Sequence, residues 1–384
     1  MSEWNEYKLG ELAEITSAKR IFYSEYVPQG VPFYRSKEVI DKFNKRDVQT
    51  ELFITEEKFD AIRTKFGVPE KDDVLLTSVG TLGIPYLVGE KDRFYFKDGN
   101  LTWFRNINKN KIDVQYLFIW LQSIIGKQKL DEITIGSTQS ALTIQGLKSV
   151  SILLPELKKQ TAIASILSSL DDKIDLLHRQ NKTLEQMAET LFRQWFLPAS
   201  AGQAGVEEAD ESWEEKGLDE IAEFLNGLAC QNFPVKPNEV GLPVIKIKEM
   251  RTGITETSDI ATHEIPEKYI VEDGDMLFSW SGSLDVILWS GGKGVLNQHL
   301  FKVTSTEFPQ WFYYFWVKHH ILEFQGIAAD KATTMGHIQR HHLSNAMVIV
   351  PPKNKLIEMD ETVNPVFQKI KSNTKQIRTL TQLR

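Results

Sequence analysis

The 384-residue chain contains one cysteine, Cys230. A single thiol forms no internal disulfide and gives no zinc-knuckle spacing. No run of about 18 apolar residues is present to span a bilayer. The N-terminal MSEWNEYKLG lacks the apolar core of a secretion signal. No G-x-x-x-x-G-K-[ST] loop occurs and no G-x-G-x-x-G follows a strand, so the usual nucleotide-phosphate cradles are missing. Net basic charge is missing too. Its 45 Lys and Arg against 52 Asp and Glu give −7, which argues against a broad non-specific grip on nucleic acid but leaves room for local basic loops. A cytoplasmic protein with no membrane association is expected.

Proline and glycine are absent from one long stretch, Glu156–Leu197. Its apolar residues fall at Ile163, Leu167, Leu170, Ile174, Leu177, Leu184, Ala188, Leu191 and Trp195, with Asn181 in the one gap. Steps of four and three are the a/d seam of a coiled coil, narrower than an ordinary amphipathic stripe. Such a helix would be roughly 60 Å long, which suits a spacer.

The segments on either side of it repeat. Trp4, Leu9 and Ala13 recur as Trp213, Leu218 and Ala222; GVPFYRSKEV (30–39) returns as GLPVIKIKEM (241–250); DVLLTSVGTLG (73–83) returns as DMLFSWSGSLD (275–285). NLTWFR (100–105) matches NQHLFK (297–302), and SVSILLP (149–155) matches NAMVIVP (345–351). A period near 200 residues is too long for a solenoid and means a duplicated domain. VQYLFIWLQSIIG, Val114–Gly126, reads as a helix closed by its glycine, and its counterpart WFYYFW (311–316) as a buried helix rather than a base-stacking platform. The layout expected is a first domain over 1–155, a helix over 156–197, a linker over 198–212, a second domain over 213–351 and a second helix over 352–384. Residues 198–215 combine small residues with six acidic and no basic side chains, too polar to bury a core.

In the second helix Met359, Val363, Val366, Ile370, Ile377 and Leu380 take seam positions, with Asn373 the polar one. To pair within one molecule it must run antiparallel to the first. Setting Asn181 against Asn373 gives opposed residues an index sum of 554. Leu177 then faces Ile377, Leu184 faces Ile370, Ala188 faces Val366, Leu191 faces Val363 and Trp195 faces Met359. A paired asparagine fixes register at some cost in stability. Pro365 should either begin the second helix or kink it. Ile163 and Leu167 have no partner in this register and should pack on a domain or another subunit. The fold class expected is α+β, two pseudo-twofold-related globular domains separated by an antiparallel coiled coil of two long helices.

This layout resembles the specificity subunits of type I restriction–modification systems, which carry two target recognition domains and two helical conserved regions. The resemblance covers nearly the whole chain. Its motifs are Trp4/Leu9 with Trp213/Leu218, G-[VL]-P followed by Lys37–Glu38 or Lys248–Glu249, D-[VM]-L-[LF]-[TS], G-[ST]-L at Gly80–Leu82 and Gly282–Leu284, and the exit from Pro155 into a helix holding Gln160. It implies a non-catalytic chain that binds double-stranded DNA, each domain reading half of a bipartite target while the helices set the spacer. It further implies modification subunits docked on the helices, restriction subunits beyond them, and S-adenosylmethionine, ATP and magnesium used on those other subunits, with no cofactor or metal on this one.

Loop residues with base- or phosphate-bonding side chains are the candidate DNA contacts. In the first domain these are Lys19, Arg20, Tyr23, Arg35, Ser36, Lys37, Thr77, Ser78, Thr81, Ser137, Thr138, Gln139 and Ser140. In the second they are Lys246, Lys248, Ser279, Trp280, Ser281, Ser283, Lys293, Lys331, Thr333 and Thr334. Arg and Lys suit guanine O6 and N7, Gln suits adenine, and hydroxyls serve bases or phosphates. Seven of the eight histidines follow residue 217, including His319–His320, His337 and His341–His342, without the converging carboxylate or thiolate support of a metal site. Asp72–Asp73 and Asp273–Asp275 read as turn residues before apolar strands rather than a metal-binding pair. Two rival readings stay open: a self-contained DNA methyltransferase or nuclease, and a coiled-coil adaptor that binds no DNA.

Overall fold

The computed structural model describes residues 4–136, 140–197, 212–330 and 336–384. The chain forms two compact units, Met1–Ser169 and Leu170–Arg384. Both are α+β, and each holds the same arrangement of strands.

In the first unit β1 (Asn5–Lys8) leads into the single turn α1 (Leu9–Leu12) and β2 (Glu14–Thr16). β3 (Val31–Tyr34), α2 (Ser36–Phe43), β4 (Phe53–Ile54) and α3 (Glu56–Phe66) follow. Then come β5 (Val74–Thr77), β6 (Pro85–Leu87), β7 (Tyr95–Phe96) and β8 (Leu101–Arg105). The unit closes with α4 (Val114–Gln122), α5 (Ile124–Glu132), α6 (Ile144–Ser149), β9 (Ser151–Leu154) and the start of α7 (Leu157–Phe196). Sheets run in the orders β2-β8-β5-β6, β4-β3-β7 and β1-β9. β5 is buried throughout because it is covered on both faces: Val74 and Leu76 enter the core with Phe104 and Leu117, while Leu75 enters another with Phe96 and Trp103. Alternate residues of a strand point to opposite faces, so one buried strand serves two cores.

The second unit repeats this order. β10 (Glu214–Gly217), α8 (Leu218–Ile221), β11 (Glu223–Asn226), β12 (Leu242–Ile245), α9 (Ile247–Thr252), β13 (Ile260–Ala261) and β14 (Ile270–Val271) come first. β15 (Met276–Ser279), β16 (Val286–Leu288), β17 (Gly294–Leu296) and β18 (Leu300–Thr304) follow. α10 (Gln310–Ala329), α11 (Arg340–Asn345), β19 (Met347–Val350) and α12 (Lys353–Leu383) complete it. Its sheets are β11-β18-β15-β16, β13-β12-β17-β14 and β10-β19, the same set with β14 added. Met276 and Phe278 face one core and Leu277 another, as in β5. The six residues WFYYFW all lie buried in α10.

Within the second unit α7 and α12 pack together and run antiparallel. Asn373 Nδ2 donates to Asn181 Oδ1 at 2.9 Å, and Arg384 forms an ion pair with Asp171. Asn181 Nδ2 donates to Thr374 Oγ1 at 3.0 Å. Leu177, Ala188, Val363 and Ile370 are buried along the contact. Towards the end of α7 the apolar surface is wider than the a/d seam. Phe192 and Phe196 are more buried than Leu191 and Trp195 because they meet α10, with Phe192 at 5.5 Å from Phe315 and 5.1 Å from Trp316 between ring centroids. Phe367 on α12 meets the same helix, 5.5 Å from Tyr314. The pair is therefore one side of a three-helix core here.

Pro365 does not begin the second helix: α12 starts at Lys353 and carries the proline inside it. Pro365 is exposed, as is Glu361, so the hydrogen bond that proline omits is missing on the solvent side, where the carbonyl is open to solvent. Gly126 does not end a helix. α4 stops at Ser123, whose hydroxyl accepts from Gly126 N at 3.0 Å and so caps α5. A Cβ on Gly126 would lie 2.1 Å from the Trp120 carbonyl oxygen, so the tight α4–α5 corner demands glycine. Ile163 packs against the first unit's core beside the buried Ala164.

Candidate nucleic-acid interface

The candidate interface is centred on one hairpin in each unit. β5 turns into β6 through Ser78–Ile84, and β15 turns into β16 through Trp280–Asp285. The hydroxyl ending each first strand closes the turn: Ile84 N donates to Thr77 Oγ1 at 2.9 Å, and Asp285 N donates to Ser279 Oγ at 2.8 Å. Gly80 (φ 79°) and Gly282 (φ 67°) take left-handed conformations at the tips, which explains the glycine of G-[ST]-L. Thr81 and Ser283 beside them are exposed.

A second segment lies along each hairpin. Leu142 N donates to Ser78 O at 2.9 Å, and Ile338 N donates to Trp280 O at 3.0 Å. Ser78 N donates to Asn100 O at 2.8 Å, and Trp280 N to His299 O at 3.4 Å. Positions 78 and 280 are thus equivalent crossing points of three segments, and Ser140 sits by the first. Ser137, Thr138 and Gln139, with Lys331, Thr333 and Thr334, fall outside the described residues.

Burial sorts the remaining candidates. Thr77, Ser78, Ser279 and Ser281 are buried, and their hydroxyls are engaged: Ser78 Oγ lies 2.6 Å from Thr102 Oγ1, and Ser281 Oγ 2.9 Å from His299 Nδ1. These four hold the turns and do not face outward, because the hairpin folds each hydroxyl inward. The Ser36 hydroxyl is also buried. Lys19, Arg20, Tyr23, Lys37, Lys248 and Lys293 are exposed. Tyr23 is 89% exposed, next to Phe22 at 62%, an unusual presentation of two rings. Lys19 Nζ lies 4.7 Å from the Phe66 ring centre, and Arg20 pairs with Asp98 at 2.9 Å.

The Lys–Glu motif divides its labour. Glu38 is wholly buried and accepts from Arg35 N at 2.7 Å and from Arg35 Nη2 at 2.8 Å. That hydrogen bond holds the Arg35 guanidinium above its ordinary pKa, burial opposing it. Glu249 is buried in the same role and accepts from Lys246 N at 3.2 Å and Ser258 Oγ at 3.0 Å. The glutamates cap α2 and α9; Lys37 and Lys248 remain outside. Lys246 pairs with Asp259, which lies below its usual pKa because of that hydrogen bond.

The acidic pairs close turns. Asp73 Oδ2 accepts from Glu70 N at 2.9 Å and Trp103 Nε1 at 2.8 Å, and Asp275 Oδ2 accepts from Glu272 N at 2.8 Å. Burial raises the Asp73 carboxyl to about 6, against these two hydrogen bonds. Among the described residues no group of three or more His, Cys, Asp and Glu is arranged to hold a metal ion, and no helix is long and apolar enough to cross a membrane. His320 bonds Glu323 at 3.0 Å and the Met347 carbonyl at 3.0 Å. Burial lowers the pKa of neighbouring His319, with His320 and Arg193 adding to it.

Two residues beside these turns lack any local signal in the sequence. His299 reaches the crossing point only through β18 pairing, and Arg251, in the last turn of α9, lines a cleft of about 470 Å³ with Gly282, Ser283 and Gln325.

Lysine, arginine and hydroxyl side chains carried on the loops of a scaffold that occurs twice are of the kinds that contact bases and phosphates. The family model described as type I restriction modification DNA specificity domain matches residues 1–186 and 210–382. The type I restriction enzyme MjaIX specificity subunit of Methanocaldococcus jannaschii is 24% identical over all of this chain and 91% of its own length. The putative specificity subunit S.HindORF215P of Haemophilus influenzae is 30% identical over 43% of this chain and 39% of its own. The crystal structure of the type I restriction–modification S subunit from M. genitalium shares the fold, with a TM-score of 0.59 at 15% identity over 100% of this chain and 94% of that one. The chain belongs to the family of type I restriction–modification DNA specificity subunits, the non-catalytic DNA-specificity members of their complexes.

Proposed function

We propose that each unit reads one half of a bipartite duplex target, and that the α7–α12 pair fixes the spacer between the halves. The observation carrying this reading is the duplicated crossing point, where the same three segments meet around Ser78 and around Trp280. Two copies of one reading scaffold call for two half-sites, as paired modules do elsewhere. The long helices supply a stiff length between them and an exposed surface for modification subunits. Lys19, Arg20, Tyr23, Lys37, Thr81 and Ser140 serve the first half-site, and Lys246, Lys248, Ser283 and Lys293 the second, with lysines mostly on phosphate and hydroxyls on either. Restriction subunits join the same assembly. S-adenosylmethionine, ATP and magnesium act on those other subunits.

The test is binding of the chain, with and without modification subunits, to a randomised duplex library followed by sequencing of the bound fraction. Two conserved blocks at fixed separation support the reading. One contiguous block, or no selection in any combination, contradicts it.

A further inference from the structure

The duplication supplies an internal control for specificity. Hydrogen bonding makes Ser78 equivalent to Trp280 and Asn100 to His299, which corrects the match of 100–105 with 297–302 by two residues because Thr77 pairs with Leu101 and Ser279 with Leu300; the bridges Val79–Ala141 and Ser281–His337 make Ala141 equivalent to His337. In the first unit this crossing point, Ser78, Asn100 and Ala141, carries no ring, and Ser78 is buried and turned inward onto Thr102. In the second unit all three positions carry rings, none fully buried. Trp280 lies 6.0 Å from His299 and 6.2 Å from His337, ring centre to ring centre, with Phe301 beneath it at 5.9 Å. Backbone conserved between the halves while side chains change in concert is what reading two different sequences requires.

We infer that Trp280, His299 and His337 form an aromatic platform that sets base preference in the second half-site and has no counterpart in the first. The Trp280 indole N–H is already spent, donating to Asn226 Oδ1 at 3.0 Å and Gln298 O at 3.2 Å. What the indole offers a ligand is therefore apolar ring, not a donor. The Ser281 hydroxyl holds His299 Nδ1 at 2.9 Å, which fixes the imidazole against the indole, so His299 acts as a positioning residue. An apolar ring at a duplex-reading turn matches the one apolar group on a major-groove base edge, the thymine 5-methyl. The chemistry assigned to the platform is thus a thymine methyl contact. This rests on the bipartite reading above.

The experiment uses the complex with its modification subunits and has two arms. In the first, the target selected by the native complex is resynthesised with uracil replacing each thymine in turn. Loss of one methyl contact lowers affinity about fourfold at a second-half position, and the first-half positions lack this platform-dependent loss. In the second arm Trp280→Ser, which installs the first unit's residue, is put through library selection. It relaxes one or two positions of the second block and leaves the first block and the spacer unchanged. No uracil effect in the second half, or unaltered selection by a folded Trp280→Ser complex, overturns the platform while leaving bipartite reading intact. A native complex that selects no second block overturns both.

Discussion

Asn373 Nδ2 donates to Asn181 Oδ1 at 2.9 Å across the α7–α12 contact. Asn373 is 1% exposed, and its own Oδ1 has no protein partner. A buried amide with an unmet acceptor stabilises poorly, but it penalises a slip of one heptad, which would leave the two amides facing Val366 and Ile174, or Leu380 and Ala188. Specificity of pairing is what the asparagines add.

Replacing only Asn373 with leucine leaves Asn181 Oδ1 without its donor, while Asn181 Nδ2 keeps Thr374, and should destabilise the second unit by about 1–3 kcal/mol. Replacing both with leucine should recover that loss and raise the denaturation midpoint above the native value. A double-mutant cycle in urea checks the coupling; additive effects of the two substitutions would count against the pair as a register device.

Phe192→Ala should cost about 3–5 kcal/mol, since the ring is 2% exposed and packed on Phe315 and Trp316. Leu191→Ala, on the a/d seam but half-buried, should cost less. Thermal melts of the two variants rank the contacts. The reverse order would mean that α10 does not share this core.

Asp73 gives the first unit a pH dependence of defined sign. Its carboxyl is raised by burial to about 6 in the fold, above the unfolded value of about 3.9. The protonated form is favoured on folding, so this contribution is complete below about pH 4 and is lost as pH rises through 6. Asp73→Asn keeps an acceptor for Glu70 N and Trp103 Nε1 while removing the charge. It should flatten the pH profile between 4 and 7 and stabilise the unit at pH 7 by up to about 3 kcal/mol. A steeper profile in the variant would reverse the assignment.

Gln160 anchors the start of α7 in the first unit. It is 1% exposed, accepts from Asp113 N at 2.9 Å, and donates to Lys111 O at 3.0 Å and Pro155 O at 2.9 Å. Gln160→Leu should cost about 2–3 kcal/mol by leaving backbone groups unmet. Hydrogen exchange should show the Asp113 amide losing protection while the second unit is unchanged.

Much of this was legible in the sequence because it is local or repeated. Heptad spacing marks α7 without reference to anything it touches, and the copied DVLLTSVGTLG and DMLFSWSGSLD place both hairpins. Legibility ended where a third element intervenes. Phe192, Phe196 and Phe367 lie off the seam, and only α10 explains their burial. The hydroxyls of Thr77, Ser78, Ser279 and Ser281 look like loop groups in sequence, yet the turns close over them. Gly126 carries the signature of a helix end, and the Trp120 carbonyl gives it a different purpose. Glu38 and Glu249 appear in sequence only as the acidic half of a Lys–Glu motif, and the capping that buries them is not legible there.

If the helices measure the spacer and the loops read the bases, lengthening the pair moves the half-sites apart without changing them. Seven residues inserted after His178 in α7 and seven matching residues inserted before Gln376 in α12 keep the seam in phase and lengthen the pair by about 10 Å. Methylated sites are then mapped in cells carrying the native or lengthened chain with its modification subunits. The account predicts both half-sites unchanged and a spacer longer by about three base pairs. Altered half-sites with an unchanged spacer would contradict it.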